Sequence, residues 1–209
     1  MQSTNRLALK EWAVIIHALG TGQQILLLRK GGLYERQGRF TTEPREFFLF
    51  PTYVHQMTQG VTSQALADLH AVIHRQPPAE EVHLTHYAMV QAGCWLDDFD
   101  SVALLADFHW WTPETIAHRF AYGETPGLYL FVLRVYCLPR PFVLPYLKRY
   151  GGCRSWVELA NAVPTDGAQP VLSDQAFTER YRELVQRLSL SAVTSLCSVP
   201  SSDKGRRGF

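Results

Sequence analysis

The chain has 209 residues, of which 46% are hydrophobic, 12% aromatic and 19% charged, with a formal net charge of +1. That composition stocks the core of one large domain or two small ones and argues against disorder outside the tail. No run approaches the roughly 20 apolar residues of a membrane span, and the N-terminus has no signal-peptide-like apolar stretch, so a cytoplasmic protein is expected. Cys94, Cys137, Cys153 and Cys197 stand far apart with no CxxC pair, which argues against a disulfide framework or a zinc ribbon.

In chain order, Leu9 to Leu19 and Gln24 to Arg29 read as two strands joined at Gly20-Thr21-Gly22, a hairpin. In the first, Trp12, Val14 and Ile16 alternate with Ala13, Ile15 and His17, so both faces are largely apolar. A third strand, Glu46 to Phe50, is predicted to stop at Pro51, which cannot donate to a ladder. The polar stretch Leu33 to Arg45, with Gly38 and Pro44, reads as a long functional loop. Thr62 or Ser63 caps a predicted helix through Arg75, with Leu66, Leu69, Val72 and Ile73 on one face, and Pro77-Pro78 ends it.

Strands are then predicted over Val82 to Ala92 and Ser101 to Phe108. Thr112-Pro113-Glu114 is a helix start (hydroxyl cap, proline in the first turn, acid toward the positive end), and that helix runs to Ala121. Gly127 opens the strongest strand, Leu128 to Leu138, which Pro139 and Pro141 are expected to close. Pro145 to Ala160 has no clear pattern. Ser173-Asp174 starts a last amphipathic helix to Leu188. Residues 1–190 are expected to form one domain and 191–209 a disordered tail. Short strands without regular βαβ alternation predict an α+β fold: a mostly antiparallel β core with three or more flanking helices. That order also looks like the PUA-like barrels that bind modified bases or RNA.

Charge is distributed unevenly. Residues 1–58 carry seven Lys/Arg against four Asp/Glu, residues 76–118 carry seven acids and no Lys or Arg, and residues 119–160 carry six bases against two acids. Two basic segments flank an acidic one, which gives either a dipolar surface or separate solvated faces.

The basic turn Arg29-Lys30-Gly31-Gly32, with Arg36 and Arg39, is the leading candidate site. Its cations would meet phosphates while the glycine amides donate to the same oxygens. The plainer alternative is a β-turn whose cations sit in water. The spacing matches neither GxGxxG nor GxxxxGK[ST]. Thr52, Tyr53, His55 and Gln56 follow a buried strand, where a loop carries ligand contacts on a rigid base or simply ends the strand. Lys10, Glu11 and Glu35 complete the predicted ligand-binding set of Lys10, Glu11, Arg29, Lys30, Gly31, Gly32, Glu35, Thr52, His55 and Gln56.

Lys10-Glu11-Trp12, Leu27-Leu28-Arg29-Lys30-Gly31-Gly32 with Glu35, and Phe50-Pro51-Thr52 with His55-Gln56 resemble the bacterial domain-of-unknown-function family 1802. A weaker echo continues through Arg134-Val135-Tyr136 and Ser155-Trp156. The family is uncharacterised, so the resemblance implies no activity. Association of some members with restriction-endonuclease-like domains implies a link to DNA defence and a nuclease partner, by association only.

The leading functional expectation is binding of nucleic acid or another phosphate-bearing ligand through the Arg29–Gly32 turn and the Pro51–Gln56 loop. Arg29→Ala and Lys30→Ala are each expected to weaken binding with the fold intact, unless Arg29 is a buried partner of Glu11 or Glu35. A second expectation is a metal- or acid/base-dependent enzyme acting on nucleotides or nucleic acid, with Glu11, Glu35 and His55 supplying the groups. A third is a non-catalytic interaction subunit docking through the acidic 76–118 segment. His70 and His74 fall four apart on a helix but lack an HExxH arrangement, so no metal is expected, and no cofactor is indicated. Phe108-His109-Trp110-Trp111 reads as core in preference to a base-stacking platform, and Cys153 as an incidental thiol.

Overall fold

The computed structural model describes residues 1–30, 45–53, 60–152 and 154–189, together with the backbone pairing of 35–36, 39–40 and 197–198. Its elements in chain order are β1 (Thr4–Trp12), α1 (Ala13–Gly20), β2 (Leu26–Arg29), β3 (Glu35–Arg36), β4 (Arg39–Phe40), β5 (Glu46–Thr52), α2 (Ser63–His74) and β6 (Glu81–Leu96). These are followed by α3 (Phe99–Ala103), α4 (Pro113–Ala121), β7 (Leu128–Pro145), β8 (Trp156–Pro164), β9 (Gln169–Pro170), α5 (Asp174–Ser189) and β10 (Cys197–Ser198).

Eight strands form one sheet in the order β2-β7-β6-β5-β1-β8, with β9 added on β7 and β10 on β6. All of its pairings are antiparallel except β1 with β5. β3 and β4 pair separately. The fold is therefore α+β around a mostly antiparallel sheet, as expected.

Strand periodicity explains how the sheet is covered. Along β5, Phe47 and Leu49 enter one core while Phe48 and Phe50 enter another. Neighbouring β1 does the same with Leu9 and Ala8. The first core is closed by Val14 to Leu19 of α1, Ala65 and Leu69 of α2, Ile116 of α4, and Leu184 and Leu188 of α5. The second joins Val82, Leu84, Tyr87, Leu144, Tyr150, Val157 and Leu159. Each fully buried aliphatic or aromatic side chain contributes roughly 1.5–3 kcal/mol, so both faces stabilise the sheet.

Four local expectations are overturned. Leu9 to Leu19 is not a strand of a hairpin: β1 ends at Trp12 and residues 13–20 are helical. Val14, Ile15 and Ile16 favour strand intrinsically, but α1 is buried nearly all round, and packing overrides propensity there. Ser101 to Phe108 is helix α3 and a short 3-10 turn, not a strand. The Asp98 side chain accepts from the amides of Asp100 (3.3 Å) and Ser101 (3.0 Å) and from Ser101 Oγ (2.6 Å), which caps the helix and holds the carboxyl below its usual range.

β7 does not close at Pro139. It runs to Pro145, and the register shift between Leu84 and His86 of β6 falls opposite Pro139-Arg140-Pro141, so the prolines sit where ladder donors are not required. Likewise β5 continues through Pro51 to Thr52. Its pairing with β6 covers only Glu46 to Phe48, so the proline nitrogen meets no strand on that side.

Candidate functional site

Beyond Phe48, β5 parts from β6, and a cavity of about 770 Å³ opens there. Its floor comes from the ends of three strands: Lys10 to Trp12 of β1, Leu28 to Lys30 at β2, and Phe50 to Tyr53 at β5. Its walls are Gln76 to Ala79 with Glu81 and Val82, Arg119 of α4, and Tyr146, Gly151, Gly152, Arg154 and Ser155 from the β7–β8 connection. Five cations (Lys10, Arg29, Lys30, Arg119, Arg154) line it against two acids, Glu11 and Glu81, among the described residues. The size suits a small ligand or one unit of a polymer.

The two adjacent cations at the end of β2, Arg29 as its last residue and Lys30 in the bend just after it, go to different partners. Arg29 Nη1 donates to Glu11 Oε2 at 2.6 Å and to the Lys10 carbonyl at 3.1 Å. Glu11 is buried, and its other oxygen accepts from the Trp12 amide at 2.9 Å. Lys30 turns the other way. Its ammonium donates to the carbonyls of Phe120 (3.1 Å), Thr125 (2.5 Å) and Gly127 (3.2 Å), and lies 5.7 Å from the Trp95 ring centre. That ammonium ties the α4–β7 connection to the end of β2.

Thr52 Oγ1 donates to the Glu11 carbonyl at 3.0 Å, fixing the parallel β1–β5 pair where both enter the cavity. Lys10 Nζ donates to the Gly152 carbonyl at 3.0 Å and holds the opposite wall. Burial pushes the Tyr53 phenol up, so it lines the cavity as a neutral ring and donor.

Arg119 was not foreseen. Its guanidinium lies 5.2 Å from the Trp12 ring centre and 4.8 Å from that of Trp111, within cation–π range of both. Among the described residues none accepts a hydrogen bond from it. Burial lowers its pKa, the Glu11 carboxylate opposes that shift, and the Arg29 charge adds to it. Arginine remains a cation under such a shift. The result is a planar cation oriented by aromatic rings, with its N–H edge left for something in the cavity. Trp110 and Trp111 are indeed core, as expected, but Trp111 also supports this cation.

Of the predicted set, Lys10, Glu11, Arg29, Lys30 and Thr52 come together around the cavity. Gly31, Gly32, His55 and Gln56 lie outside the described residues, as do Cys153 and most of the 33–44 and 190–209 segments; Glu35 is described only through its backbone pairing with Phe40. The only trace of Arg119 in the sequence is its position at the end of a helix that begins next to Trp110-Trp111. No helix among the described residues is long and apolar enough to cross a membrane.

No curated protein matches the chain. Among solved structures, an ASCH protein from Zymomonas mobilis aligns at a TM-score of 0.42 with 10% identity, covering 84% of this chain and 93% of that one. A serine-to-alanine mutant of the same Zymomonas mobilis protein aligns at 0.41 with 11% identity, over 88% and 99% of the two chains. Sequence carries the assignment: residues 8–183, which contain every residue named as lining the cavity, match the family described as Domain of unknown function (DUF1802), and the chain belongs to it.

Proposed function

We propose that the chain binds a phosphate-bearing ligand of nucleotide type, free or within nucleic acid, in the cavity between the ends of β1, β2 and β5. The observation that carries this reading is Arg119: a half-buried guanidinium, stacked on Trp12 and Trp111, with no acceptor among the described residues. A planar cation held by two rings, with its N–H edge on the cavity, offers charged donors that an anion accepts from in short, paired hydrogen bonds. Arg154 adds an exposed cation from the β7–β8 connection, while Trp12 and Tyr53 offer aromatic surface for a base. Arg29 serves this site indirectly: its charge is taken up by Glu11, and the pair fixes the floor on which Trp12 sits.

The test is binding of the full chain to labelled single- and double-stranded DNA and RNA and to nucleoside monophosphates, at several salt concentrations. Phosphate contact predicts affinity that falls as salt rises, and loss of that affinity in Arg119→Ala. Absence of binding to all of these probes at low salt overturns the reading.

A further inference from the structure

The cavity does not end at its walls. From Val135 to Val157 the chain carries Arg140, Lys148, Arg149 and Arg154 and no acid. The middle of this stretch borders the cavity: Tyr146 and Arg154 line it, and the 3-10 turn Lys148–Tyr150 bridges them. The turn is anchored. Tyr150 is 1% exposed, packs edge-on against Phe50, and its hydroxyl accepts from the Ala160 amide at 2.9 Å. The Tyr146 amide donates to the Glu80 carbonyl at 2.7 Å and the Tyr150 amide to the Leu147 carbonyl at 2.8 Å. On this fixed base Lys148 and Arg149 are exposed and, among the described residues, form no ion pair; Tyr146 is 43% exposed beside them.

Building on the proposed nucleotide site, we infer that its ligand is a single-stranded nucleic acid: one nucleotide occupies the cavity, and the adjoining phosphates run over the Tyr146–Arg154 rim. A free nucleotide would be satisfied by Arg119 and Arg154 and would leave Lys148 and Arg149 without a role. A duplex keeps its bases paired and stacked, so it cannot present one to a cavity floored by Trp12 and Tyr53 without first being opened. A cationic rim that tracks the backbone, next to exposed and half-buried aromatic rings, is the combination that holds a single strand without reading its sequence. An anionic lipid surface would meet Lys148 and Arg149 but would leave the cavity and Arg119 unused.

The experiment uses the full chain with uridine monophosphate and with oligouridylates of three, six and twelve nucleotides, their deoxythymidine counterparts, a twelve-base-pair duplex, and phosphatidylserine vesicles. Three proteins are compared: wild type, Lys148→Ala/Arg149→Ala and Arg119→Ala, each checked for folding by circular dichroism. The expected result is tighter binding of the hexamer than of the monophosphate. The Lys148→Ala/Arg149→Ala variant should flatten the salt slope for the hexamer by about 1.4, two phosphates at about 0.7 each, and leave the monophosphate unaffected. Arg119→Ala should weaken both.

Equal binding of monophosphate and hexamer, with the double variant silent, overturns the strand inference and leaves the cavity reading standing. A duplex bound as tightly as the single strand, or vesicle binding without oligonucleotide binding, also overturns it. If wild type binds neither monophosphate nor any oligonucleotide, both readings fall.

Discussion

Arg29 and Glu11, 18 residues apart in sequence, meet at 2.6 Å with the carboxylate buried and the guanidinium only 16% exposed. Their ion pair joins the last residue of β2 to the penultimate residue of β1. It is the alternative that the sequence left open for Arg29, and it changes what substitution should do.

Arg29→Ala should therefore destabilise the protein by about 3–5 kcal/mol, because it strands a buried carboxylate, and not by the ~0.5 kcal/mol typical of an exposed cation. The double variant Arg29→Ala/Glu11→Gln should recover part of that loss. Urea denaturation of the two variants and wild type checks this; wild-type stability in Arg29→Ala would show that the pair is energetically idle.

Lys30→Met keeps the aliphatic stem but removes a donor shared by three carbonyls. A hydrogen-bonded charge of this kind contributes about 1.5–3 kcal/mol, and a loss in that range is expected. Hydrogen exchange localises it: the Gly127 amide, which donates to the Phe120 carbonyl at 2.9 Å, should exchange faster in the variant.

Arg119→Lys preserves the charge but not the planar fork that stacks on Trp12 and Trp111. Affinity for a phosphate-bearing ligand should fall roughly tenfold or more, about 1.4 kcal/mol, with lysine failing to rescue what alanine loses. Titration calorimetry with the ligand identified by the binding screen measures it. Full rescue by lysine would mean that only charge matters at this position.

Two histidines are held neutral. Burial lowers His86 to about 4, with His17 adding to the shift, and burial lowers His109 to about 4, with the Arg119 charge adding. The unfolded chain protonates these side chains near 6.5, so between pH 6.5 and 4 it binds more protons than the native state, and stability rises with pH across that window. Stability should be complete above pH 6.5 and fall as pH drops toward 4. Melting temperatures at pH 7.5, 5.5 and 4.5 test this, and His109→Gln should flatten the slope between them.

Gly127 precedes β7 with φ +140°, where an added Cβ would lie 2.3 Å from Trp95 Cζ2 and 2.8 Å from the Leu96 carbonyl oxygen. Gly127→Ala should cost at least about 2 kcal/mol through backbone strain and displacement of Trp95. A thermal shift assay reads the loss, and an unchanged melting point would show that the turn can rearrange.

Elements that advertise themselves locally were legible. Thr112-Pro113-Glu114 starts α4, whose Thr112 hydroxyl accepts from the Thr115 amide at 3.2 Å; the apolar face of residues 63–74 forms α2; Asp174 begins α5; and the run after Gly127 is the strand it promised. Part of the candidate site was legible for a similar reason. Lys10, Glu11 and Thr52 sit at the ends of apolar runs that pair as β1 and β5, which brings them together; Arg29 and Lys30 end the apolar run of β2, which pairs with β7, and only the tertiary fold carries them to the same cavity.

Composition, caps and strand patterning were thus enough to determine an α+β chain with a basic cluster at its strand ends. Tertiary structure decided the rest, because burial and charge pairing depend on neighbours that sequence spacing does not reveal. Val14-Ile15-Ile16 became helix only because the core closes round them on nearly every side. Arg29 and Lys30, identical in promise as adjacent cations, were divided where β2 ends between a buried carboxylate and a set of backbone carbonyls. Arg119 acquired its place only when α4 packed its last turn against Trp12, more than a hundred residues away along the chain, and left the guanidinium edge facing the cavity.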